Sequence, residues 1–372
     1  VNTPQFPLPY RIRVRAGDEV LAESAAAVAL PDEAGRPVVW LPRGDVTPAG
    51  AGFLLHSEDA AGLVSFDPPQ VTAEIVDGRD GDDPRDVTVK RFPAWGDARD
   101  LIEILDVQPD GPGRFVSKVS GDRAGHVEGS QMLGQSVVAA GRTAPGRRVV
   151  SAHMAFFRPA DPREPLEFEL EALSSGRTMT ALAVRVVQSG RARAAGTLLL
   201  DTPSPDLIRH QAPAPDCPGP YESVPYDMSV VGRDVRVVDA AYNNDPNAPV
   251  GPPVIDTWIR FRDVPDDEYL HAGLLVQFMG HMSIAAAMRP HAGIGQAQAH
   301  RDFSTGINGI AVSLHADVRA DEWMRYHHHS TFAGSGITHS ECRAYAEDGT
   351  VLASFSVDAM VRPFPADGPR RL

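Results

Sequence analysis

The sequence predicts an α+β chain in which a long helix followed by an antiparallel meander occurs twice, behind a β-rich opening segment. Three observations carry this. Apolar residues recur at three- and four-residue steps in two segments, Gly125 to Ala140 and Glu268 to Met288. Each is followed by four strand-like runs separated by turn residues. The opening segment alternates apolar and charged side chains with the period of a half-buried strand.

The elements follow in order. Ile12 and Val14 alternate with Arg11, Arg13 and Arg15, Ala16-Gly17-Asp18 reads as a turn, and Val38–Leu41 reads as a strand closed by Pro42. A Pro- and Asp-rich stretch from Asp77 to Asp86 separates this region from the next. Asp97 to Leu105 has helical spacing, and Gly125 to Ala140 more strongly so, with Gly141 as its stop. Val149–Phe157, Leu166–Leu173, Met179–Gln188 and Ala192–Leu200 read as strands. Asp201 to Val250, which contains QAPAPDCPGP, has the composition of a linker and is expected along the surface. The order then returns: strand Val254–Phe261, helix Glu268–Met288 stopped by Pro290, and strands Ile310–Leu314, Glu322–Ser330, Gly336–Ala346 and Val351–Val361. The repeat is roughly a hundred residues, a duplicated domain and not a solenoid. The expected units are a β-rich domain at 1–94, a first repeat at 95–205, a linker at 206–249 and a second repeat at 250–366.

Composition narrows the function classes. The 372 residues carry 35 Lys+Arg against 49 Asp+Glu, a net charge of −14, which argues against nucleic acid and anionic membranes as partners. No apolar run approaches the roughly 20 residues of a bilayer span, and no signal peptide is visible. A cytoplasmic protein is expected. Cys217 and Cys342 stand too far apart to suggest a disulfide framework or a metal-binding pair, and no cofactor is implied.

Two resemblances add to this. RAGDEVLAES and VVWLPRGDV, in the opening segment, resemble a small all-β family of unknown function found in bacteria, although that family's later Cys-Pro-Tyr-Lys segment is missing here. From about residue 95 to 364 the chain resembles the type II acyl-CoA thioesterases. The matching stretches are VEGSQMLGQS (127–136), MAFFRP (154–159), HQAPAPD (210–216), TWIRFRDVPDDEYLHAGLL (257–275), RPHAGIG (289–295), ADEW (320–323) and EDGTVLASF (347–355). The resemblance implies a double hotdog, two antiparallel sheets each wrapped around one long helix, with the helices side by side. It also implies an acyl thioester substrate on CoA or a carrier protein, bound in a tunnel, and a possible homo-oligomer.

In that family an Asp, a Thr and a Gln of the second repeat activate the hydrolytic water. Carried onto this sequence, those positions are Gly280, Ile307 and Val357, none of which can take a proton or orient water. Thr305, Ser304 or Asn308 replaces the Thr if the strand starts differently. The scaffold is kept and the triad is lost, leaving Gly280, Ile307, Val357 and Thr305, with Gly129 and Ser130, as the residues expected to line the substrate region.

The polar chemistry that remains lies at the start of the first long helix, His126-Val127-Glu128-Gly129. Glu128 stands where the family has an aromatic. His126 and Gly129 also reproduce the His-x-x-Gly spacing of hotdog dehydratases, in which a His is the base and a carboxylate of the opposing helix the acid. Here the opposing helix offers His281. His126, Glu128 and His281 are therefore the candidate proton carriers. The plain structural alternative is that His126 and Glu128 cap or decorate a solvated helix N-terminus. His327-His328-His329 invites a metal, but neighbours on a strand face opposite ways and no carboxylate or Cys stands near in sequence, so packing is expected. Asp358 should face away from the tunnel, His291 should pack in a turn, and His300 and Asp302 carry little weight. Arg147, Arg148, Arg191 and Arg193 are candidates for phosphate contacts, with solvated arginines the alternative. Three functions fit: a hydrolase with substituted groups, a non-hydrolytic dehydratase, isomerase or cyclase, and an acyl-binding protein whose first domain docks a partner.

Overall fold

The computed structural model describes residues 6–7, 11–31, 37–48, 50, 55–58, 62–66, 71–76, 95–119, 125–226, 228, 230–242, 248–300 and 302–364. The stretch from Asp77 to Asp86 lies outside them. The chain divides into two compact units, Val1–Arg91 and Phe92–Leu372.

The first unit is β-rich, with one 3-10 turn at Arg43–Asp45 among its described residues. Ile12–Ala16 lies between Glu19–Ser24 and Thr72–Ile75 in a three-stranded sheet, and a second sheet has five short strands. The alternation read from sequence sorts as expected: Ile12 and Val14 are buried with Leu21, Leu41 and Phe66, while Arg13 reaches Glu23 at 2.8 Å and Glu74 at 3.4 Å on the other face.

The second unit is built from α1 (Ala98–Leu105), α2 (Gly129–Thr143), β1 (Arg148–Phe156), β2 (Glu167–Ser175), β3 (Met179–Gln188) and β4 (Arg191–Asp201). It continues with β5 (Arg233–Val237), β6 (Val254–Phe261), α3 (Glu268–Phe278), α4 (Ser283–Met288), β7 (Phe303–Leu314), β8 (Met324–Gly334), β9 (Ile337–Ala346) and β10 (Val351–Pro363). The strands form one antiparallel sheet in the order β5-β6-β8-β9-β10-β7-β1-β4-β3-β2, extended by short strands to thirteen. The halves join where β1 pairs β7, Ser151 opposite Ser313 and Ala155 opposite Gly309. One apolar core takes in α1, α2, α3 and the inward side chains of the sheet. Each half is an antiparallel sheet around a helix, as the resemblance implies.

Glycines set the distance between the two central helices. A Cβ on Gly134 would lie 2.6 Å from the Gly273 carbonyl oxygen, and one on Gly273 would lie 2.8 Å from Val138 Cγ2. Without side chains at these positions the backbones touch directly. At one end of the helix pair, Arg142 of α2 bridges Asp106 (2.6 Å) and Asp267 (3.0 Å) and donates to the Val107 carbonyl at 2.7 Å.

Several sequence expectations need correction. Gly141 does not stop the first long helix, which starts at Gly129 and runs to Thr143. A Cβ there would lie 2.3 Å from Tyr269 Cδ1, so the glycine serves packing and not termination. Glu268–Met288 is two helices, α3 and α4, parted at residues 279–282 around Gly280. That stretch also passes the length and composition test for a membrane span. It is interior, however, with 78% of its most apolar window buried. The strand expected at Ile310–Leu314 begins earlier, at Phe303. The Pro-rich connection does run along the surface from 202 to 219, pinned by Arg325 on the Pro215 carbonyl (2.7 Å), Trp258 on the Pro218 carbonyl (3.0 Å) and Gln211 on Gly349 and Val351.

Candidate active site

The N-terminus of α2 meets the break between α3 and α4, and this junction gathers a buried carboxyl, a guanidinium and imidazoles. Glu128 is the N-cap residue, yet its side chain makes no capping hydrogen bond. It turns inward instead, keeps 13% of its surface, and accepts a 2.7 Å hydrogen bond from Gln277 Nε2 on Oε2. Its other oxygen, Oε1, stands 3.4 Å from His281 Nε2. Glu128 is thus neither a cap nor a solvated surface carboxylate, against the plain structural alternative. Gln277 at the end of α3 and His281 in the break that follows both reach Glu128. The His281 ring stacks on Phe278 at 4.5 Å and 15°.

Arg233 of β5 completes the cluster. It is 7% exposed, and its guanidinium lies 4.9 Å from the Trp95 ring and 5.6 Å from that of Phe278. Cation–π contact of this kind offsets part of the cost of burying the charge. His328 of β8 is fully buried against Tyr326.

The surroundings reset the protonation of these groups. Burial pushes the Glu128 carboxyl up to about 7, although the Arg233 charge and the Gln277 hydrogen bond pull the other way. Burial, with Arg233 and His328 nearby, holds His281 well below the usual histidine range. His328 is pushed down to about 4, again chiefly by burial. Near neutral pH the site therefore combines a carboxyl that is protonated part of the time with a neutral imidazole, an acid and a base within reach of one another.

Beside this pair the structure is apolar. A Cβ on Gly280 would lie 2.7 Å from Ile307 Cδ1 and 2.8 Å from Ser130 Oγ, so Gly280, Ile307 and Ser130 meet. Val357 is fully buried and faces inward from β10 with Phe355 and Ala359, and Ala359 pairs with Ile307. Thr305 bonds His300 Nε2 at 3.1 Å, and Asn308 sits exposed at a bulge. Gly129 lets the Phe156 ring lie against the helix start, 3.0 Å from where its Cβ would be.

His126 is half-buried just before α2, next to Val127, whose N–H donates to the Ala160 carbonyl at 2.9 Å. Nearby, Arg163 holds the Asp161 carboxyl below the usual range through a side-chain hydrogen bond. The geometry brings Glu128 and His281 together. In the histidine run, His327 has a carboxylate neighbour in space: Asp256 of β6, 3.1 Å away and shared with Arg325 at 2.9 Å. Strand pairing supplies it from 71 residues away. Burial would raise the Asp256 carboxyl, but His327 and Arg325 outweigh it and hold it low. Among the described residues no cluster of three or more His, Cys, Asp or Glu is arranged to hold a metal. Asp358 points outward to His339 at 2.6 Å. Arg147 and Arg193 are engaged with backbone carbonyls, Gly176 at 2.9 Å and Pro159 at 2.8 Å. Sequence reasoning missed Gln277 and Arg233. The proximity in sequence of Gln277 to His281 was a signal for the first, and none existed for the second.

The family models for the acyl-CoA thioesterase N-terminal and C-terminal domains match residues 120–200 and 211–360, one on each half of the sheet. This chain belongs to the acyl-CoA thioesterase double-hotdog family. It is similar to human acyl-coenzyme A thioesterase 8, 23% identical over 308 residues, spanning 73% of this chain and 92% of that protein. It is also similar to acyl-CoA thioesterase 2 of Haemophilus influenzae, 22% identical over 256 residues, 63% of this chain and 87% of the relative. Among solved structures, an acyl-CoA thioesterase II TesB2 from Mycobacterium marinum superposes with a TM-score of 0.60 at 25% identity, covering 72% of this chain and 99% of that one. The tesB protein of Mycobacterium avium subs paratuberculosis gives 0.61 at 22%, covering 71% and 99%.

Proposed function

We propose that this double hotdog binds an acyl thioester, on CoA or a carrier protein, and moves protons on the acyl chain with Glu128 and His281 in place of the family's polar triad. The observation behind this reading is the buried carboxyl–imidazole pair contributed by two facing helices. The neutral His281 is suited to take a proton from the carbon next to the carbonyl. Glu128, protonated part of the time near neutrality, is suited to give one to a leaving hydroxyl or a neighbouring carbon. Backbone N–H groups at the start of α2, which Glu128 does not cap, are suited to polarise the thioester carbonyl. Dehydration or double-bond isomerisation fits these roles. Gly280, Ile307 and Val357 offer a hydrolytic water no side-chain hydrogen-bond partner, which is why hydrolysis ranks second. Its support is the family match, with Glu128 or His126 as the base. We read the substrate unit as a first hotdog at 95–205 and a second at 250–366, with the segment between them running along the surface and then adding β5 to the second half's sheet.

A panel of acyl-CoAs tests the choice. Thiol release and acyl-chain products are followed in parallel, by a thiol reagent and by mass spectrometry. Dehydrated or isomerised thioester without thiol release is expected. Stoichiometric thiol release lost in Glu128→Gln would favour hydrolysis, and no turnover of any thioester would leave a binding protein.

A further inference from the structure

We infer that the outer face of the large sheet, opposite the helices, carries a second site that takes an amphiphile with an oxyanion head and an aliphatic tail. The face holds a groove of about 780 Å3 across the join of the two halves. Strand register lays one row of outward side chains across it. At one end His327 stands opposite Arg343, which stands opposite Ser354. Ser354 pairs with Ser313, and Ser313 with Ser151. Ser151 pairs with Leu199, and Leu199 with Ala181, beside the bulge that carries Leu173.

The row therefore grades from cation through hydroxyls to aliphatic surface. Asp256 occupies His327, but Arg343 is exposed and has no hydrogen bond or ion pair among the described residues. An unpaired guanidinium beside a line of serine hydroxyls is the donor set of an oxyanion site. In a chain of net charge −14 its position in a groove is notable, because the surrounding field disfavours anions unless local donors hold them. Ser354 is already oriented, 3.0 Å from His315 Nε2. Glu341 is the carboxylate of the neighbouring row, opposite His329. At the far end Leu173 is 58% exposed, an apolar side chain with nothing over it among the described residues. From Arg343 on β9 to Leu199 on β4 is four strand spacings, about 19 Å, the scale of a medium-length aliphatic chain with its head group.

The test is calorimetric titration of the full chain, below micelle-forming concentrations, with laurate, dodecyl phosphate, dodecanol and inorganic phosphate. Saturable binding of laurate or dodecyl phosphate is expected, and the tighter of the two identifies the head as carboxylate or phosphate. Arg343→Gln should weaken that binding tenfold or more, Arg343→Lys less, and Leu199→Ser severalfold. All three should melt like the parent and leave turnover of acyl thioesters unchanged. Unchanged affinity in Arg343→Gln would overturn the proposal by placing the amphiphile elsewhere, such as the tunnel. So would equal binding of dodecanol. Absence of amphiphile binding would overturn it too, and a dimer in sedimentation that Arg343→Gln dissociates would then identify a second copy as the occupant.

Discussion

Gly280→Ala places a methyl group where the structure has no room for one. The added Cβ would lie 2.7 Å from Ile307 Cδ1 and 2.8 Å from Ser130 Oγ. Both are side-chain ends, so they can yield, but only by leaving their packed positions. Overpacking of this kind costs ~1–3 kcal/mol. Ile307→Val removes the nearer obstacle and by itself costs ~0.5–1.5 kcal/mol. If the two residues meet as described, the double variant should be more stable than the sum of the single losses by ~1 kcal/mol. That exceeds the ~0.3–0.5 kcal/mol within which independent sites add. Urea denaturation followed by tryptophan fluorescence measures it, since Trp95, Trp258 and Trp323, three of the four tryptophans, lie in the second unit. Strict additivity would show that Gly280 and Ile307 are not in contact, and the close packing at this point would have to be abandoned.

Three further outcomes are expected. The folded Glu128 carboxyl lies at about 7 against 4.5 for an ordinary glutamate, so the stability it allows is fully present below pH 4.5 and is lost as pH rises to about 7. Glu128→Gln should therefore gain on the parent between pH 5 and 8, by up to roughly 3 kcal/mol; parallel stability curves would refute this. His281 is shifted the opposite way, so its own contribution grows as pH rises toward 6.5, and it remains in both proteins. Gly134→Ala presses a Cβ to 2.6 Å from a backbone oxygen of the facing helix, which cannot rotate away, so a loss near ~3 kcal/mol in the same urea assay is expected. In acyl-thioester turnover, Glu128→Gln and His281→Ala should each cost ~10²-fold or more, and His126→Ala less than either. If His126→Ala were the most damaging of the three, the proton carriers would have to be reassigned.

Much of the fold was legible because burial and period coincide. Met179–Gln188 and Val254–Phe261 occupy the strands read for them, where apolar side chains alternate or run continuously toward the core. Glycine was harder to read. Gly141 and Gly280 look alike in sequence, but the first sits inside a helix to admit Tyr269 and the second sits where the helix breaks. Local pattern cannot tell the two uses apart, because what distinguishes them is a partner more than a hundred residues away. The site divides in the same way. Glu128 was visible as a polar departure from a family pattern, and His281 as an ionisable group on the opposing helix. Arg233 was not, since its meaning depends on the Trp95 and Phe278 rings around it. Asp256 became a neighbour of His327 only through the pairing of β6 with β8.

The pairing of β1 with β7 makes one polypeptide of two similar halves, and this has a consequence for what the molecule could become. In a dimer of identical chains, both ends of a helix pair must carry the same residues, and every substitution is made twice. Here the ends are encoded separately. One holds Glu128, Gln277 and His281 away from water, and the other closes with Arg142 across Asp106 and Asp267. A chain built this way can lose a catalytic group at one end, or install a strained buried charge there, while the opposite end keeps the two helices together.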